Sequence, residues 1–291
     1  MKALSDVMDR KYRYRVWRSY AVYTCLALLS VVSLVPLVSI LTHTFFSGLP
    51  YLSVAFVTQL PKPVGEVGGG MANAIVGSVT LVGLATVLGV TWGMSTGVYL
   101  AEYGRGLFAV GVRFVTDLLS SVPSIVIGIF VYALVVVPMK RFSALAGALA
   151  LGIMMIPLVA RTTEELLRMV PVTYREAGLA LGGARYRVVL SVVVRTALPG
   201  IFTGILLAMA RVGGETAPLL FTALGNRFWH QGLTDPISSL PVQIFTYAIS
   251  PFEEWHGHAW AGATVLVAGA VFVNVVAKLV ARRLSRGSEL R

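Results

Sequence analysis

The chain has 291 residues, of which 56% are hydrophobic and only 13% are charged, and its mean hydropathy is +0.79. In soluble domains about a quarter of the residues are charged, so this composition argues against a soluble enzyme, and it excludes a disordered chain. The net charge of +11 is typical either of nucleic-acid binding or of basic loops beside a membrane. The single cysteine, Cys25, can form neither an internal disulfide nor a Cys-based zinc site.

Six apolar segments predict the fold. None alternates between apolar and polar residues like a barrel strand, and a spanning helix satisfies its own backbone hydrogen bonds. We therefore predict an all-α integral membrane protein with about six transmembrane helices. The segments are residues 21–42, 73–99, 114–138, 144–160, 199–221 and 259–281. The first segment is too long for the core of a signal peptide and is predicted to remain as an uncleaved helix.

The basic residues predict the orientation. If the N-terminus is cytoplasmic, 19 of the 24 Lys and Arg residues fall in inner segments and four in outer loops, and the remaining one, Arg211, lies within a span. This positive-inside distribution places both termini in the cytoplasm and explains the net charge without nucleic acid. The predicted organisation is a basic N-terminal segment (1–20), a first helix with its outer loop (21–72), a core of further spans (73–282) and a cytoplasmic tail (283–291).

The longest inner segment contains a predicted short helix near 173–185. Pro171 should end the preceding helix, and Thr173 with Glu176 matches a capping box. Gly182 begins a glycine pair that should stop the new helix. The helix is rich in small residues, and its composition leaves two alternatives open: it lies on the lipid surface, or it docks a soluble partner.

Two charges lie within the fifth apolar segment. At about 1.5 Å per residue, Arg211 lies about 18 Å from Pro199, near the middle of a membrane core about 30 Å thick. A charge at that depth costs about 3 kcal/mol or more, so Arg211 and Glu215 must face protein or water. Because these residues are four apart, they share a helix face and form either a structural ion pair or the lining of a solute path.

Neighbouring residues favour the solute path. The pair Gly213-Gly214 and Pro218 interrupt the helix, as in transporters whose broken helices line a binding site, and Thr216 adds a hydroxyl. The guanidinium of Arg211 offers a fork of donors that suits an oxyanion such as phosphate. We interpret Glu215 as the group that keeps an anion from being held too tightly.

A second polar stretch lies near the start of the third apolar segment. Asp117 is followed by Ser120, Ser121 and Ser124 around the helix-breaking Pro123. The hydroxyls of Ser121 and Ser124 are predicted to line the same path. The alternative is that Asp117 is an interfacial residue with local hydrogen bonds.

No motif predicts an enzyme. The sequence lacks the His-Glu-x-x-His and Walker patterns, and His256 with His258 supplies too few ligands for a metal. We therefore predict no catalytic residues, no metal and no cofactor. The energy for moving an anion inward against the membrane potential must come from a partner or from an ion gradient.

The chain resembles the membrane permease subunits of type I ABC importers. The pattern Glu176-Ala177-Gly178-x3-Gly182 is similar to the EAA loop, the cytoplasmic helix through which these permeases dock their ATPase. The stretch that begins at Arg211 is similar to the Arg-x-x-Gly-Glu-Thr-Ala-Pro segment of phosphate permeases. Residues 122–128 and 161–165 also resemble that group, and the PstA type is more similar than the PstC type. The resemblance covers about residues 70–282.

The resemblance implies a permease subunit of an ATP-driven phosphate importer, embedded in the lipid of the bacterial inner membrane. The implied path residues are Arg211, Glu215, Thr216, Ser121 and Ser124, and the implied ATPase contacts are Glu176, Ala177, Gly178 and Gly182. The implied partners are a sister permease of the PstC type, two copies of a PstB-type ATPase and a periplasmic phosphate-binding protein of the PstS type.

Three alternatives remain open from the residues themselves. The first keeps the architecture but changes the solute to another oxyanion, such as sulfate or molybdate. The second is a gradient-driven carrier that works without an ATPase. The third is a multi-pass membrane enzyme, which would need a catalytic acid–base or metal set that is not visible in the sequence.

Overall fold

The computed structural model describes residues 2–66 and 68–289, with side chains described between residues 12 and 280. The end of the predicted cytoplasmic tail, residues 290 and 291, lies outside the described residues. Helices account for every regular element in the described part of the chain. The first six are α1 (Lys2–Gly48), α2 (Val54–Thr58), α3 (Ala72–Val98), α4 (Gly106–Ser121), α5 (Ser124–Val131) and α6 (Val137–Met139). The others are α7 (Ala144–Met169), α8 (Val172–Ala180), α9 (Arg185–Val188), α10 (Val194–Val212), α11 (Ala217–Thr222), α12 (Leu240–Ala248) and α13 (Glu253–Glu289).

Short π-helical turns join some of these helices into longer rods. One such turn, Tyr99–Tyr103, extends α3, and another, Val189–Val193, fuses α9 with α10. Five rods in the described residues are long and apolar enough to cross a membrane, and a bent pair of helices makes a sixth. The five are Tyr12–Tyr51, Ala72–Tyr103, Ala144–Met169, Arg185–Val212 and Glu253–Val280. The prediction of an all-α membrane protein with about six spans is confirmed.

The third span is broken. Its two halves, Gly106–Ser121 and Ser124–Met139, meet at an angle of 103°. Val122 is extended, with φ −65° and ψ 130°, because the ring of a following proline disfavours the helical conformation at the preceding residue. Pro123 therefore ends α4 and redirects the chain into α5.

The fifth span begins and ends earlier than the apolar segment 199–221 predicted. It begins at Arg185, passes through Pro199 without a break and stops at Val212. The basic residues in the first half of this helix lower its local hydropathy, so the hydropathy of the sequence does not mark this half as part of the span. Arg211 consequently lies in the last turn of the span, about 39 Å along the helix from Arg185 at 1.5 Å per residue, and not midway.

Small residues bring α3 and α7 into close contact. Gly89, Gly93 and Gly97 recur every four residues on one face of α3 and are buried. A Cβ on Gly93 would lie 2.8 Å from the carbonyl oxygen of Ile156, and one on Gly97 would lie 2.6 Å from that of Ala160. In lipid, where burial of apolar surface drives helix association little, such close approach of backbones supplies the packing energy. This helix pair is the centre of the fold.

The first helix is attached at its outer end. The Thr264 hydroxyl of α13 donates a hydrogen bond of 3.0 Å to the carbonyl oxygen of Thr44. The rings of His43 and Trp260 meet edge to face at 4.9 Å. The side chains from Trp17 to His43 are exposed, so this part of α1 presents an apolar surface to lipid or to a partner subunit.

Candidate translocation site and coupling segment

The helical structure is interrupted between Arg211 and Ala217. Gly213 and Gly214 follow the last helical residue of α10, and the N–H of Gly214 bonds the Arg211 carbonyl at 3.3 Å. The N–H of Glu215 bonds the Val212 carbonyl at 3.1 Å. Helix α11 then starts with a proline in its first turn, a favoured position because that N–H has no helical partner. The predicted interruption of the helix is therefore present, and it lies beside the two predicted charges.

One cavity, which we call the Arg211 cavity, gathers several of the predicted path residues. It has a volume of about 240 Å³ and lies between α4, α5, α7 and α10. Its lining residues are Leu119, Ser120, Val122, Ser124, Ile127, Met154, Leu158, Arg211, Val212 and Glu215. The structure thus brings Arg211, Glu215 and Ser124 together. It adds Ser120, which the sequence placed nearby without assigning it to the path.

The other two predicted path residues lie outside this lining. The Ser121 hydroxyl donates to the Asp117 carbonyl of its own helix at 2.7 Å and is exposed. Successive residues on a helix point about 100° apart, and here Leu119 and Ser120 face the cavity while Ser121 points away from it. Thr216 precedes α11, and its side chain does not cap that helix.

Within the part of the chain that the structure describes, Arg211 and Glu215 do not form an ion pair, and neither side chain has a hydrogen-bond partner. Arg211 is exposed and Glu215 is half-buried. The alternative of a self-neutralising pair therefore has no support in this geometry. The guanidinium has all of its donors available in a polar cavity.

A second cavity, the charged cavity, continues along the groove between α4 and α7. Its lining residues are Leu100, Arg113, Thr116, Asp117, Arg161, Glu164, Glu165 and Arg168. Met154 and Leu158 of the Arg211 cavity lie on the same face of α7 as Arg161 and Arg168, since the steps between them are three, four or seven residues. The two cavities therefore follow one another along one groove.

Two of the three acids that line the charged cavity, Asp117 and Glu164, form ion pairs. Arg161 Nε lies 3.0 Å from Asp117 Oδ1, so Asp117 is held by an arginine of α7 and not by local hydrogen bonds alone. Glu164 accepts from Arg113 Nε at 2.9 Å and from Arg168 Nη2 at 2.6 Å. The groove thus has an uncompensated arginine in one cavity and compensated ones in the next.

The predicted cytoplasmic helix is α8, Val172–Ala180, and its start differs from the prediction. Pro171 is the N-cap residue, so Thr173 lies inside the first turn and forms no capping box. The rigid φ of a proline suits this boundary as well as a capping hydroxyl does. The end is as predicted: Gly182 has a φ of +78°, which favours glycine, and the Gly183 N–H bonds the Gly178 carbonyl at 3.2 Å.

The small face of α8 packs against its own chain. A Cβ on Gly178 would lie 2.7 Å from a methyl group of Val188 in α9, so glycine permits this approach. At Gly178 the small residue therefore makes room for a neighbouring helix of the same chain. The outward face has Glu176 and Ala177, which are exposed, with Tyr174 and Leu181 beside them.

Sequence reasoning missed two charged residues that position α8. Arg175 of α8 forms a buried ion pair with Glu102, which ends the second span, at 2.5 Å between Nη2 and Oε1. The available signal was weak: Glu102 is an acid directly after an apolar segment, and its partner is 73 residues away. Such acids are also common at membrane surfaces, so the sequence alone gave no reason to pair these two.

Comparisons with known proteins agree with this architecture. Residues 89–286 match the family model described as "Binding-protein-dependent transport system inner membrane component". The phosphate transport system permease protein PstA of Yersinia pestis is 43% identical over 284 residues, covering 96% of each chain. PstA of Haemophilus influenzae is 47% identical and covers 80% of this chain and 82% of its own.

Solved structures support the fold. An inward-facing structure of the MetNI methionine ABC transporter matches with a TM-score of 0.61 at 17% identity, covering 74% of this chain and 95% of that one. A crystal structure of an amino acid ABC transporter with histidines matches with a TM-score of 0.57 at 16% identity. The chain therefore belongs to the inner membrane components of binding-protein-dependent transport systems, and within them to the PstA permeases.

Proposed function

We propose that this chain is a transmembrane permease subunit of an ATP-driven phosphate importer and that phosphate passes through the Arg211 cavity. The observation that supports this proposal most directly is the unpaired guanidinium of Arg211, which lies in a polar cavity beside a helix break. The relatives that share 43–47% identity are named as phosphate transport system permeases. The chain is itself a transport subunit and not an enzyme.

The chemistry of the cavity suits phosphate. The guanidinium of Arg211 offers a planar fork of donors that matches two oxygens of a phosphate. The hydroxyl of Ser124 supplies a neutral hydrogen bond to a remaining oxygen, and that of Ser120 does so once it turns from the Thr116 carbonyl, to which it donates at 3.0 Å. Glu215 on the same lining repels the anion, so binding is strong enough for entry and weak enough for release. Thr216 and Ser121 adjoin the cavity and act there only if the helices rearrange during transport.

Importers of this family work with an ATPase and a substrate-binding protein, and their permeases span the inner membrane several times. In this importer the partners are a PstC-type sister permease, a PstB-type ATPase dimer and a PstS-type phosphate-binding protein. The outward face of α8 docks the ATPase through Glu176 and Ala177, with the exposed side chains of Tyr174 and Leu181. Gly178 and Gly182 shape the helix and its end. Both termini lie in the cytoplasm, as the distribution of basic residues indicates.

Reconstituted uptake tests this function. The permease pair, the ATPase and the binding protein are placed in proteoliposomes, and uptake of radiolabelled phosphate, sulfate and molybdate is compared with and without ATP. We expect ATP-dependent uptake of phosphate only. Uptake of sulfate or molybdate in preference to phosphate would support the importer of another oxyanion, and uptake by the chain without the ATPase would contradict the coupling through α8.

A further inference from the structure

The carboxylate of Glu102 is almost completely enclosed by one arginine. Glu102 lies in the π-helical turn Tyr99–Tyr103, and its side chain is 5% exposed. Arg175 Nη2 lies 2.5 Å from Oε1, and Arg175 Nε lies 3.0 Å from Oε1 and 3.2 Å from Oε2. The same guanidinium donates to the carbonyl oxygens of Val170 at 2.7 Å and Leu167 at 2.8 Å, at the end of α7. Arg175 thus ties α8 to two spans at once.

The backbone of the same π-helical turn receives two more arginines. The carbonyl oxygen of Glu102 accepts a hydrogen bond from Arg185, the first residue of the fifth span, whose guanidinium lies 5.0 Å from the ring centre of Tyr103. The Leu100 carbonyl accepts from Arg113 of α4 at 3.1 Å. One turn therefore connects the second, third and fifth spans with the cytoplasmic helix.

This connection is rigid for physical reasons. A carboxylate that is 5% exposed and paired with two nitrogens of one guanidinium is costly to separate, because each group would be left as an uncompensated buried charge. The Arg161–Asp117 pair differs, since both of its side chains are about half exposed and can exchange for water. Few helices contain a π-helical turn, and the turns that do occur often lie at functional positions.

The outer half of the second span passes beside the candidate site. A Cβ on Gly213, at the break beside Arg211, would lie 3.5 Å from Val82 of α3. Between Val82 and Glu102, α3 is packed on α7 through Gly89, Gly93 and Gly97. Glu102 and the contact beside the helix break therefore belong to one continuous helical span.

We propose that the Glu102–Arg175 ion pair is the joint that transmits movement of α8 to the second span and so to the break beside Arg211. The inference rests on the proposed docking of the ATPase at α8. Glu102 and Arg175 are positioning residues: the pair touches neither the solute path nor the ATP site. Transport requires the joint because, without it, α8 remains attached to α7 and α9 but loses its direct connection to the second span.

The test uses the complete importer in proteoliposomes with Glu102→Gln. We expect the ATPase to co-purify with the permease as in the unmodified complex and the basal ATP hydrolysis to be kept. Stimulation of hydrolysis by the phosphate-loaded binding protein should fall about tenfold, and so should phosphate uptake per ATP hydrolysed. Arg187→Gln is the matched control, because Arg187 is an exposed arginine on α9 that contacts Tyr186 and not Glu102; it should leave both quantities unchanged.

A second variant covers the case in which Glu102→Gln fails to assemble. Arg175→Lys keeps the charge but cannot hold Glu102 and both carbonyls together, so it should lower the coupling ratio in the same way. The double variant should be no worse than either single one, since both remove the same contact. An unchanged coupling ratio in these variants, or losses that multiply in the double variant, would overturn the joint. Loss of ATPase co-purification in parallel with uptake would also overturn it, because the pair would then only support the docking helix; failure of the unmodified α8 to bind the ATPase would instead contradict the proposed function.

Discussion

Arg161 Nε donates a hydrogen bond of 3.0 Å to the carboxylate of Asp117 across the groove between α4 and α7. In the adjoining cavity, Arg211 has no acidic partner among the described residues. If phosphate follows the proposed path inward in the proposed orientation, it meets a free guanidinium first and a neutralised one next. This difference in charge compensation gives the groove a direction, from attraction to release.

Removing the charge of Asp117 tests this gradient. Asp117→Asn leaves Arg161 uncompensated, and about 1 kcal/mol of added attraction would slow anion release about fivefold. The pair is 54% and 51% exposed, so its loss should change stability by less than about 1 kcal/mol. Uptake in proteoliposomes and thermal unfolding of the detergent-purified complex measure the two effects. A stability loss without an uptake defect would show that the pair is structural.

The glycine face of α3 makes a stability prediction. Gly93→Ala places a Cβ 2.8 Å from the Ile156 carbonyl oxygen, and the resulting overpacking should cost about 1–3 kcal/mol. Gly83→Ala is the control on the same helix, because nothing lies within 4 Å of its Cβ position. It should be neutral or slightly stabilising, since alanine favours helices over glycine. Thermal unfolding of both variants decides, and equal effects would argue against close packing of α3 on α7.

The contact of Gly178, in the EAA-like helix, with Val188 predicts that a second substitution can compensate for the effect of the first. Gly178→Ala brings a methyl group 2.7 Å from Val188, whose branched side chain is stiff, so α8 should shift. About 1 kcal/mol of strain should lower ATPase association about fivefold. Adding Val188→Ala creates room and should restore association, as measured by co-purification. Failure of the second substitution to restore binding would mean that Gly178 contacts the ATPase directly.

The single cysteine permits an accessibility measurement. In a Cys25→Ser background, Ser124→Cys should react with a charged thiol reagent and be protected during phosphate transport, because Ser124 lines the Arg211 cavity. Ser121→Cys is the control, since Ser121 is exposed outside that lining. Equal protection at both positions would place Ser121 on the path as well, as the sequence alone predicted.

The sequence predicts the number and type of spans well because apolar length is a local property. It predicts a helix-breaking residue at Pro123 but not the 103° bend, which depends on how α5 packs. The sequence does not predict that the fifth span begins at Arg185, because charged residues in its first half lower the hydropathy there. The Glu102–Arg175 contact is not predictable from either residue, because it depends on two segments 73 residues apart meeting in space.

Part of the candidate site was predictable because it too depends on a local property of the sequence. Arg211 and Glu215 stand out because charges within an apolar segment are costly. Arg211 and Glu215 do not pair because the helix ends at Gly213, before Glu215, so the two residues no longer share a helix face. The choice of Ser120 over Ser121 follows from the rotation of α4, which a single sequence does not fix.

The most direct test of the account replaces Arg211 in the reconstituted importer. Arg211→Gln removes a charge-assisted contact of about 2 kcal/mol, so phosphate uptake should fall roughly thirtyfold while ATPase co-purification stays unchanged. Arg195→Gln, at an exposed arginine earlier on the same helix, should transport normally. Wild-type uptake by Arg211→Gln would contradict the central claim that phosphate passes this guanidinium.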